Sequence, residues 1–286
     1  MATRFAASTA SSEPPSVEAA LLYVASKDER PVNYTFEPPP GVPWRTGKYV
    51  DVTLPIRDAR PLADQLSIDV QGFAFLTAPT AFRDFQDAAA IKSVYHPECE
   101  ALIKRVTGAS FALAYDHNVR SGAVERRTAE GVREVARRVH GDFTADSGPK
   151  RAREELEAAG LDADRLLKSR FALINVWRPI VGPVLQKPLA LCDARTVAPG
   201  DLVRSDLIHP GRKGEIYSLA PSPAHRWYYV PKMRTDEVLL IKCFDSDGTR
   251  ASFTPHGAFE DPNTPAGAPP RQSIEARILA VFAPEA

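Results

Sequence analysis

The sequence predicts a mainly β-protein with several helices, and three observations support this fold class. Seven short segments rich in β-branched and aromatic residues follow residue 170, separated by Pro, Gly, Asp and Ser. Many short strands of this kind are typical of a sandwich or barrel. The 26 prolines outnumber the 16 glycines, and proline interrupts helix interiors and central strands, so the elements are short. Helical patterns cluster before residue 170.

The first half of the chain is predicted to contain early strands, then two helices, then a buried strand at 110–121. The segment 80–95 places Thr80, a capping residue type, ahead of apolar residues at helical spacing. The segment 97–108 begins with proline and ends with glycine, as helices often do. The early strands are predicted at 20–26, 32–36, 49–56 and 72–78.

The domain organisation follows from the absence of a clear linker. Residues 1–16 are expected to form a flexible tail, and residues 17–286 a single domain. Residues 145–168 are charged and strongly helix-forming, which indicates a helical insertion in that domain. The late strands are predicted at 170–180, 188–197, 214–222, 226–231, 237–245, 251–259 and 273–282.

The composition excludes several classes of partner. Lys and Arg together number 36, as do Asp and Glu, so nothing favours nucleic acid or an acidic membrane. No segment approaches the ~18 apolar residues of a membrane span, and the N-terminus lacks the apolar core of a secretory signal. Cys99, Cys192 and Cys243 are odd in number and widely spaced, which fits a reducing compartment. We expect a cytoplasmic protein with a small-molecule substrate, and the sequence is compatible with a homodimer.

A candidate metal site begins in the segment "RVHGDFT" (138–144), where His140 and Asp142 are separated by one glycine. His256 lies in a late strand-like segment and supplies a second imidazole. Two histidines and one carboxylate form a facial triad, which leaves coordination positions open on iron. Arg271 follows His256 by fifteen residues, and Ser273 completes an R-x-S pattern. A guanidinium can hold a carboxylate through two hydrogen bonds, and a hydroxyl two residues along a strand points the same way.

This order of HxD, distal His and R-x-S resembles the Fe(II)/2-oxoglutarate dioxygenase superfamily. More locally, the segments "NVWRPI" (175–180), "LLIKCFDS" (239–246), "HGAFEDP" (256–262) and "RQSIEAR" (271–277) resemble the AsaB/CmcJ-like hydroxylase/desaturase family. The resemblance extends from about residue 50 to the end. It implies a double-stranded β-helix (jelly-roll) core, Fe(II), 2-oxoglutarate as cosubstrate, O₂, and hydroxylation, desaturation or ring formation on a small secondary metabolite. It also implies that His140, Asp142 and His256 hold the iron and that Arg271 with Ser273 holds 2-oxoglutarate.

Several weaker assignments accompany this one. Asn175 is a candidate hydrogen-bond donor near the cosubstrate, and Arg277, six residues beyond Arg271, is an alternative for holding it. The weak substrate candidates are His117, Arg120, Arg178 and Tyr229.

Two other classes of function stay open from the sequence alone. One is a jelly-roll without redox chemistry, either a cyclase or isomerase or an inactive binding partner of an active paralogue. The other is an interaction protein that uses the helices at 145–168.

Overall fold

The computed structural model describes residues 13–121, 132–133 and 136–283, so most of the tail predicted at 1–16 lies outside the described residues. The helices are α1 (Ala88–Ala90), α2 (His96–Thr107), α3 (Ser147–Ala158) and α4 (Ala163–Leu166), with a π-helical turn at Ile91–Tyr95 before α2. The strands are β1 (Ser16–Val24), β2 (Val32–Tyr34), β3 (Tyr49–Asp58), β4 (Phe73–Thr77), β5 (Phe111–Ser121), β6 (Val132–Arg133), β7 (His140–Gly141), β8 (Phe171–Val181), β9 (Leu189–Cys192), β10 (Leu202–His209), β11 (Arg212–Leu219), β12 (Trp227–Tyr229), β13 (Glu237–Asp245), β14 (His256–Ala258) and β15 (Gln272–Val281).

The described strands form two sheets with mixed directions. The nine-stranded sheet has the order β1-β3-β12-β9-β14-β7-β11-β10-β2, and the six-stranded sheet has the order β4-β13-β8-β15-β5-β6. Antiparallel pairs dominate, and the pairs β10–β2, β12–β3 and β5–β6 are parallel. The predicted class, mainly β with helices around a jelly-roll core, is confirmed.

Alternation along the strands of the six-stranded sheet separates two apolar layers. On β8, Leu173 and Trp177 face the nine-stranded sheet and pack with Leu191 of β9 in the core between the sheets. Ile174 and Val176 of β8 face the other way. On that outer side α2 covers the sheet, and its Leu102 and Ile103 are buried there with Ile274, Ala276 and Ile278 of β15. The site residues described below lie on the inner face.

Two local predictions differ from the structure. The helix predicted at 80–95 begins only at Ala88, because the Asp87 carboxylate accepts from the backbone N–H groups of Ala89 and Ala90. Thr80 instead bonds Glu98 and Phe82. The strand β10 was not predicted, since Arg204, Ser205 and Asp206 hide its apolar pattern.

The helices α3 and α4 lie within the predicted helical segment 145–168. Ala152 and Leu156 of α3 are buried in the core between the sheets, and Ala163 of α4 joins them. This segment therefore closes one end of the inner core. None of the helices in the described ranges is long and apolar enough to cross a membrane.

A buried lysine joins three segments of the chain. Lys242 of β13 is fully buried, and its Nζ donates to Asp69 Oδ1 at 2.6 Å and to Asp245 Oδ2 at 2.5 Å. Arg170 donates to the same two carboxylates. The Asp245 side chain has no exposed surface, so Lys242 and Arg170 compensate its buried negative charge in place of water.

We expect Lys242→Met to lower the free energy of unfolding by about 1.5–3 kcal/mol, because Asp245 loses one of its two cationic partners and keeps only Arg170. Urea unfolding followed by circular dichroism measures the change. Lys213→Met is the matched control, since Lys213 is mostly exposed and pairs with Asp206 at 2.8 Å, an interaction worth at most ~1 kcal/mol. Equal losses of stability for the two substitutions would contradict the stabilising role of the buried Lys242.

Candidate active site

The two histidines of the predicted triad come together through strand pairing. The short strands β7 and β14 are antiparallel neighbours, and His140 is the direct partner of His256. Paired residues lie on the same face of a sheet. His256 also pairs with Leu191, which belongs to the core between the sheets. Both imidazoles therefore point into the space between the sheets, with ring centroids 4.6 Å apart.

Asp142 completes the triad two residues after His140. Its Oδ1 lies 3.5 Å from His140 Nε2 and 3.9 Å from His256 Nε2. Ligand atoms from the three side chains all lie within 4.8 Å of one another. Metal–ligand bonds of about 2.1 Å put neighbouring ligands about 3 Å apart, so small side-chain movements would close the three atoms around one ion.

The tautomers of both histidines suit a metal. His140 Nδ1 lies 2.8 Å from the Arg138 carbonyl oxygen, and His256 Nδ1 lies 3.0 Å from the Thr254 carbonyl oxygen. A carbonyl oxygen only accepts, so Nδ1 carries the proton in each ring, and Nε2 offers its lone pair to the site. Burial, and then the nearby His140, lower the pKa of His256, which favours the neutral ring that a metal requires.

The third ligand is held by neighbours from the opposite sheet. Asn175 Nδ2 of β8 donates to Asp142 Oδ2 at 2.8 Å, and the Cys243 thiol of β13 donates to the same oxygen at 3.4 Å. Burial alone would raise the pKa of Asp142, but the neighbouring His140 and the charge of Arg277 hold it well below its usual value. Asp142 is therefore an ionised ligand at neutral pH. Burial, and then Asp142, raise the pKa of the Cys243 thiol.

The spacer of the HxD motif is a glycine for a steric reason. A Cβ on Gly141 would lie 2.7 Å from two ring carbons of Phe253. That ring stacks on Tyr217 with centroids 5.4 Å apart. A larger spacer would push β7 away from Phe253 and misplace both flanking ligands.

Buried polar atoms without described partners lie in a small hollow next to the triad and beside the residues that line it. The hollow is about 20 Å³ in volume, and Arg271, Trp177 and Glu275 line it together with the triad. Arg271 Nε and Ser273 Oγ are buried and make no hydrogen bond among the described residues. Asn118 Nδ2 of β5 is in the same state, and Asn118 is the strand partner of Glu275. These atoms could bind a carboxylate.

Arg271 carries a buried positive charge in this hollow. One of its guanidinium nitrogens donates to the Lys187 carbonyl oxygen, and its Cζ lies 5.4 Å from the Trp177 ring centroid. Burial, and then the neighbouring Arg120, lower its pKa to about 9, so it stays charged at neutral pH. A volume of 20 Å³ holds about one water molecule, so a five-carbon acid would have to displace a side chain from the wall.

Arg277, the alternative residue for holding the cosubstrate, is surrounded by carboxylates. It pairs with Glu275 at 3.4 Å and Asp116 at 3.5 Å. Burial lowers its pKa, but Asp142 and Glu275 outweigh that effect and raise it above its ordinary value. The charge of Arg277 is thus balanced within the protein.

The triad also opens onto a much larger hollow of about 1040 Å³. His140, Asp142 and Arg120 line both hollows. The larger one extends to α3, to the hairpin of β10 and β11, and to the loop that contains Trp44. Its volume is sufficient for a small organic molecule.

The structure does not bring two of the weak substrate candidates to the site. His117 pairs with Ala276 on the outer face of the six-stranded sheet, and its Nδ1 lies 3.1 Å from His96 Nε2 of α2. Arg178 also faces outward and donates to the Ala78 and Thr235 carbonyl oxygens. The expectation that His117 and Arg178 contact the substrate is therefore corrected, because strand alternation turns both away.

Of the two remaining weak substrate candidates, Tyr229 lies outside the site and Arg120 lies within it. Tyr229 packs in a separate core cluster against Phe259, with ring centroids 5.2 Å apart, and this placement also corrects the expectation for it. Its neighbour Tyr228 is the residue of β12 that faces the core between the sheets. Arg120 does reach the site. Asn175 reaches it too, but its amide contacts Asp142 rather than the hollow beside Arg271.

The sequence analysis did not identify Cys243 and Glu275 as residues of the site. Asn118 lies between His117 and Arg120 in the segment "YDHNVRS" (115–121), and its strand partner is Glu275. No sequence pattern distinguishes Cys243 as a thiol that contacts Asp142. Glu275 follows Ser273 by two residues, and this same-face spacing on β15 is the signal that could have identified it.

Comparison with known proteins agrees with this geometry. Residues 21–282 match the family model YDMC, described as an oxidoreductase/YMDC permease-like domain. The chain is 33% identical over 274 residues to the Fe(II)/2-oxoglutarate-dependent dioxygenase nvfI of Aspergillus novofumigatus. This alignment covers 92% of this chain and 95% of that protein. It is 41% identical over 138 residues to the hydroxylase/desaturase asaB of Aspergillus flavus, covering 43% of this chain and 60% of that protein.

A solved structure shows the same architecture. The iron and alpha-ketoglutarate-dependent endoperoxidase NvfI superposes with a TM-score of 0.84 at 32% identity, over 94% of this chain and 98% of that one. The predicted family resemblance is confirmed. The chain belongs to the family of Fe(II)/2-oxoglutarate-dependent dioxygenases and hydroxylase/desaturases that includes nvfI and asaB.

Proposed function

We propose that His140, Asp142 and His256 bind Fe(II) and that Arg271 holds the far carboxylate of 2-oxoglutarate. The protein is an Fe(II)- and 2-oxoglutarate-dependent oxygenase, and its substrate is a small organic molecule. The observation that carries the residue assignment is the convergence of three ligand groups within 4.8 Å, next to a buried arginine whose Nε has no described partner. When bound, the iron and the oxoacid supply oxidising power from O₂, with succinate and CO₂ as coproducts.

The protein's own residues orient these groups. The carbonyl oxygens of Arg138 and Thr254 fix the ring orientation of the two histidines. Asn175 and Cys243 occupy Asp142 Oδ2, which leaves Oδ1, the oxygen nearer both histidines, to the metal. Outer partners of this kind raise metal affinity because they restrict the ligand to the productive orientation.

The cosubstrate end of the site supplies charge and hydrogen bonds. Arg271 offers a cation, Ser273 a hydroxyl and Asn118 an amide, all buried. An anion with several acceptor oxygens would satisfy donors that are otherwise unpaired, which removes a desolvation cost from the protein. Glu275 shares this hollow, and its carboxylate would have to move away from an incoming anion.

Substrate enters from the larger hollow, where the chain offers room beside His140 and Asp142. Hydroxylation, desaturation and ring formation all begin with a C–H bond held near the metal. We also propose a cytoplasmic location, because Cys99, Cys192 and Cys243 are buried free thiols, as expected in a reducing compartment.

We expect His140→Ala to abolish 2-oxoglutarate decarboxylation and to weaken Mn(II) binding at least about 100-fold, because outer partners alone are worth about 10–100-fold. Succinate release and equilibrium dialysis of Mn(II) measure the two effects. His117→Ala is the control, since that ring pairs with His96 on the outer face. Normal Mn(II) binding by His140→Ala would refute the metal assignment.

We expect Arg271→Gln to raise the KM for 2-oxoglutarate about tenfold to hundredfold, because a hydrogen-bonded charge contact is lost. Arg277→Gln should instead weaken metal binding, since it removes the cation that offsets Asp142. Steady-state succinate release at varied 2-oxoglutarate separates the two. A raised KM for Arg277→Gln alone would show that Arg277 holds the cosubstrate.

We expect Asn175→Ala to weaken Mn(II) affinity about 10–100-fold through loss of its hydrogen bond to Asp142. Val176→Ala is the control, because Val176 is the next residue of β8 and faces the outer core. Both variants should be less stable in urea, but Val176→Ala should bind Mn(II) as the wild type does. Equal affinities for the two variants would rule out a positioning role for Asn175.

A further inference from the structure

The larger hollow has an unbalanced charge. Ten Lys and Arg side chains line it, against four carboxylates. The four carboxylates are already engaged. Asp142 belongs to the triad, Glu215 and Asp146 pair with Arg204, and Glu154 pairs with Arg151. Several of the cations pair with carboxylates outside the wall, Arg30 and Lys213 with Asp206 and Arg137 with Asp51.

Two of these cations, Arg45 and Arg138, lie close together without a carboxylate. Arg138 donates to the neutral Asn33 Oδ1 at 2.8 Å, and its Cζ lies 5.0 Å from the Tyr49 ring centroid. Arg45, whose backbone bridges to Asn33, makes no side-chain hydrogen bond or ion pair within the ranges that the structure describes. Like charges held together in a partly buried wall favour a bound anion.

The position of Arg138 relates this pair to the metal. Arg138 precedes His140 by two residues, and both line the larger hollow. Val139, between them, packs into a core cluster on the other side. Residues two apart on an extended strand lie on one side, roughly 7 Å apart. A group held by Arg138 therefore lies about one such step from the proposed metal site.

The neighbouring surface suits an apolar body. Tyr34 and Trp44 line the same hollow, and Trp44 is 54% exposed. An exposed tryptophan at the mouth of a pocket offers a flat apolar contact for a ligand. The wall thus combines a cationic pair with aromatic faces.

We propose that Arg45 and Arg138 bind a carboxylate of the substrate, so that the enzyme acts on an apolar organic acid. This inference rests on the proposed function, in which the larger hollow is the substrate site. The carboxylate of such a substrate would lie beside Arg138, and its apolar body would extend between the aromatic rim and the triad.

Binding of matched acids and esters tests the proposal. The probes are naphthalene-1-acetic acid and dehydroabietic acid, each compared with its methyl ester by isothermal titration calorimetry. The full chain is used with Mn(II) and excess 2-oxoglutarate, so that Arg271 is occupied. At least one acid should bind about tenfold or more tightly than its ester, the effect of a charge-assisted hydrogen-bond pair.

Three variants locate the effect. Arg45→Gln and Arg138→Gln should each remove most of the preference for the acid, and Arg138→Lys should restore part of it. Arg137→Gln is the matched control, because Arg137 lines the same hollow but pairs with Asp51 at 3.8 Å. Arg45 is exposed, so Arg45→Gln stays informative even if Arg138→Gln is unstable.

The outcomes separate this inference from the proposed function. If neither acid binds more tightly than its ester, or if Arg45→Gln leaves the preference intact, the carboxylate site is refuted while 2-oxoglutarate turnover is unaffected. If the acid preference is present and depends on Arg45 but the wild type releases no succinate from 2-oxoglutarate, the carboxylate site stands and the proposed function fails.

Discussion

The pairing of two very short strands determines the site. β7 contributes two residues and β14 three, and their single paired position is His140 opposite His256. A shift of one residue in either strand would turn one imidazole to the other side of the sheet. β9 on one side and β11 on the other fix this register. The two histidines are therefore placed by central strands of the nine-stranded sheet, and Asp142 directly follows β7.

The six-stranded sheet supplies the side chains that contact and balance Asp142. Asn175 and Cys243 reach Asp142 from across the core, and Arg277 balances its charge. Cys243 lies at an irregularity of β13, between Lys242 and Phe244, where the pairing with β8 shifts. A bulge of this kind redirects side chains next to functional sites. Asp142 thus follows a strand of the nine-stranded sheet, and side chains of the six-stranded sheet orient its carboxylate.

Charge divides the interior into zones with different partners. Lys242, Arg170 and their aspartates neutralise one another. Arg277 is matched by Glu275 and Asp116. Arg271 and the pair of Arg45 and Arg138 have no such match among the described carboxylates, and they lie next to the small and the large hollow respectively. Buried or clustered cations without an internal partner favour external anions, which is why the proposals for cosubstrate and substrate concern these residues.

The sequence by itself determined the fold class and the family, and it named the residues of the triad with Arg271 and Ser273 as candidates. It could do so because period-two patterns report strands, and because the order HxD, His and R-x-S is specific. Which side chains of β5 point toward the site was decided only by the tertiary structure. A register shift beside Tyr115 places Asn118 and Arg120 inward and His117 outward, and an inserted residue leaves no mark in the sequence. The proximity of Arg45 to Arg138 and of Cys243 to Asp142 likewise depends on contacts between residues about a hundred positions apart, which local patterns do not encode.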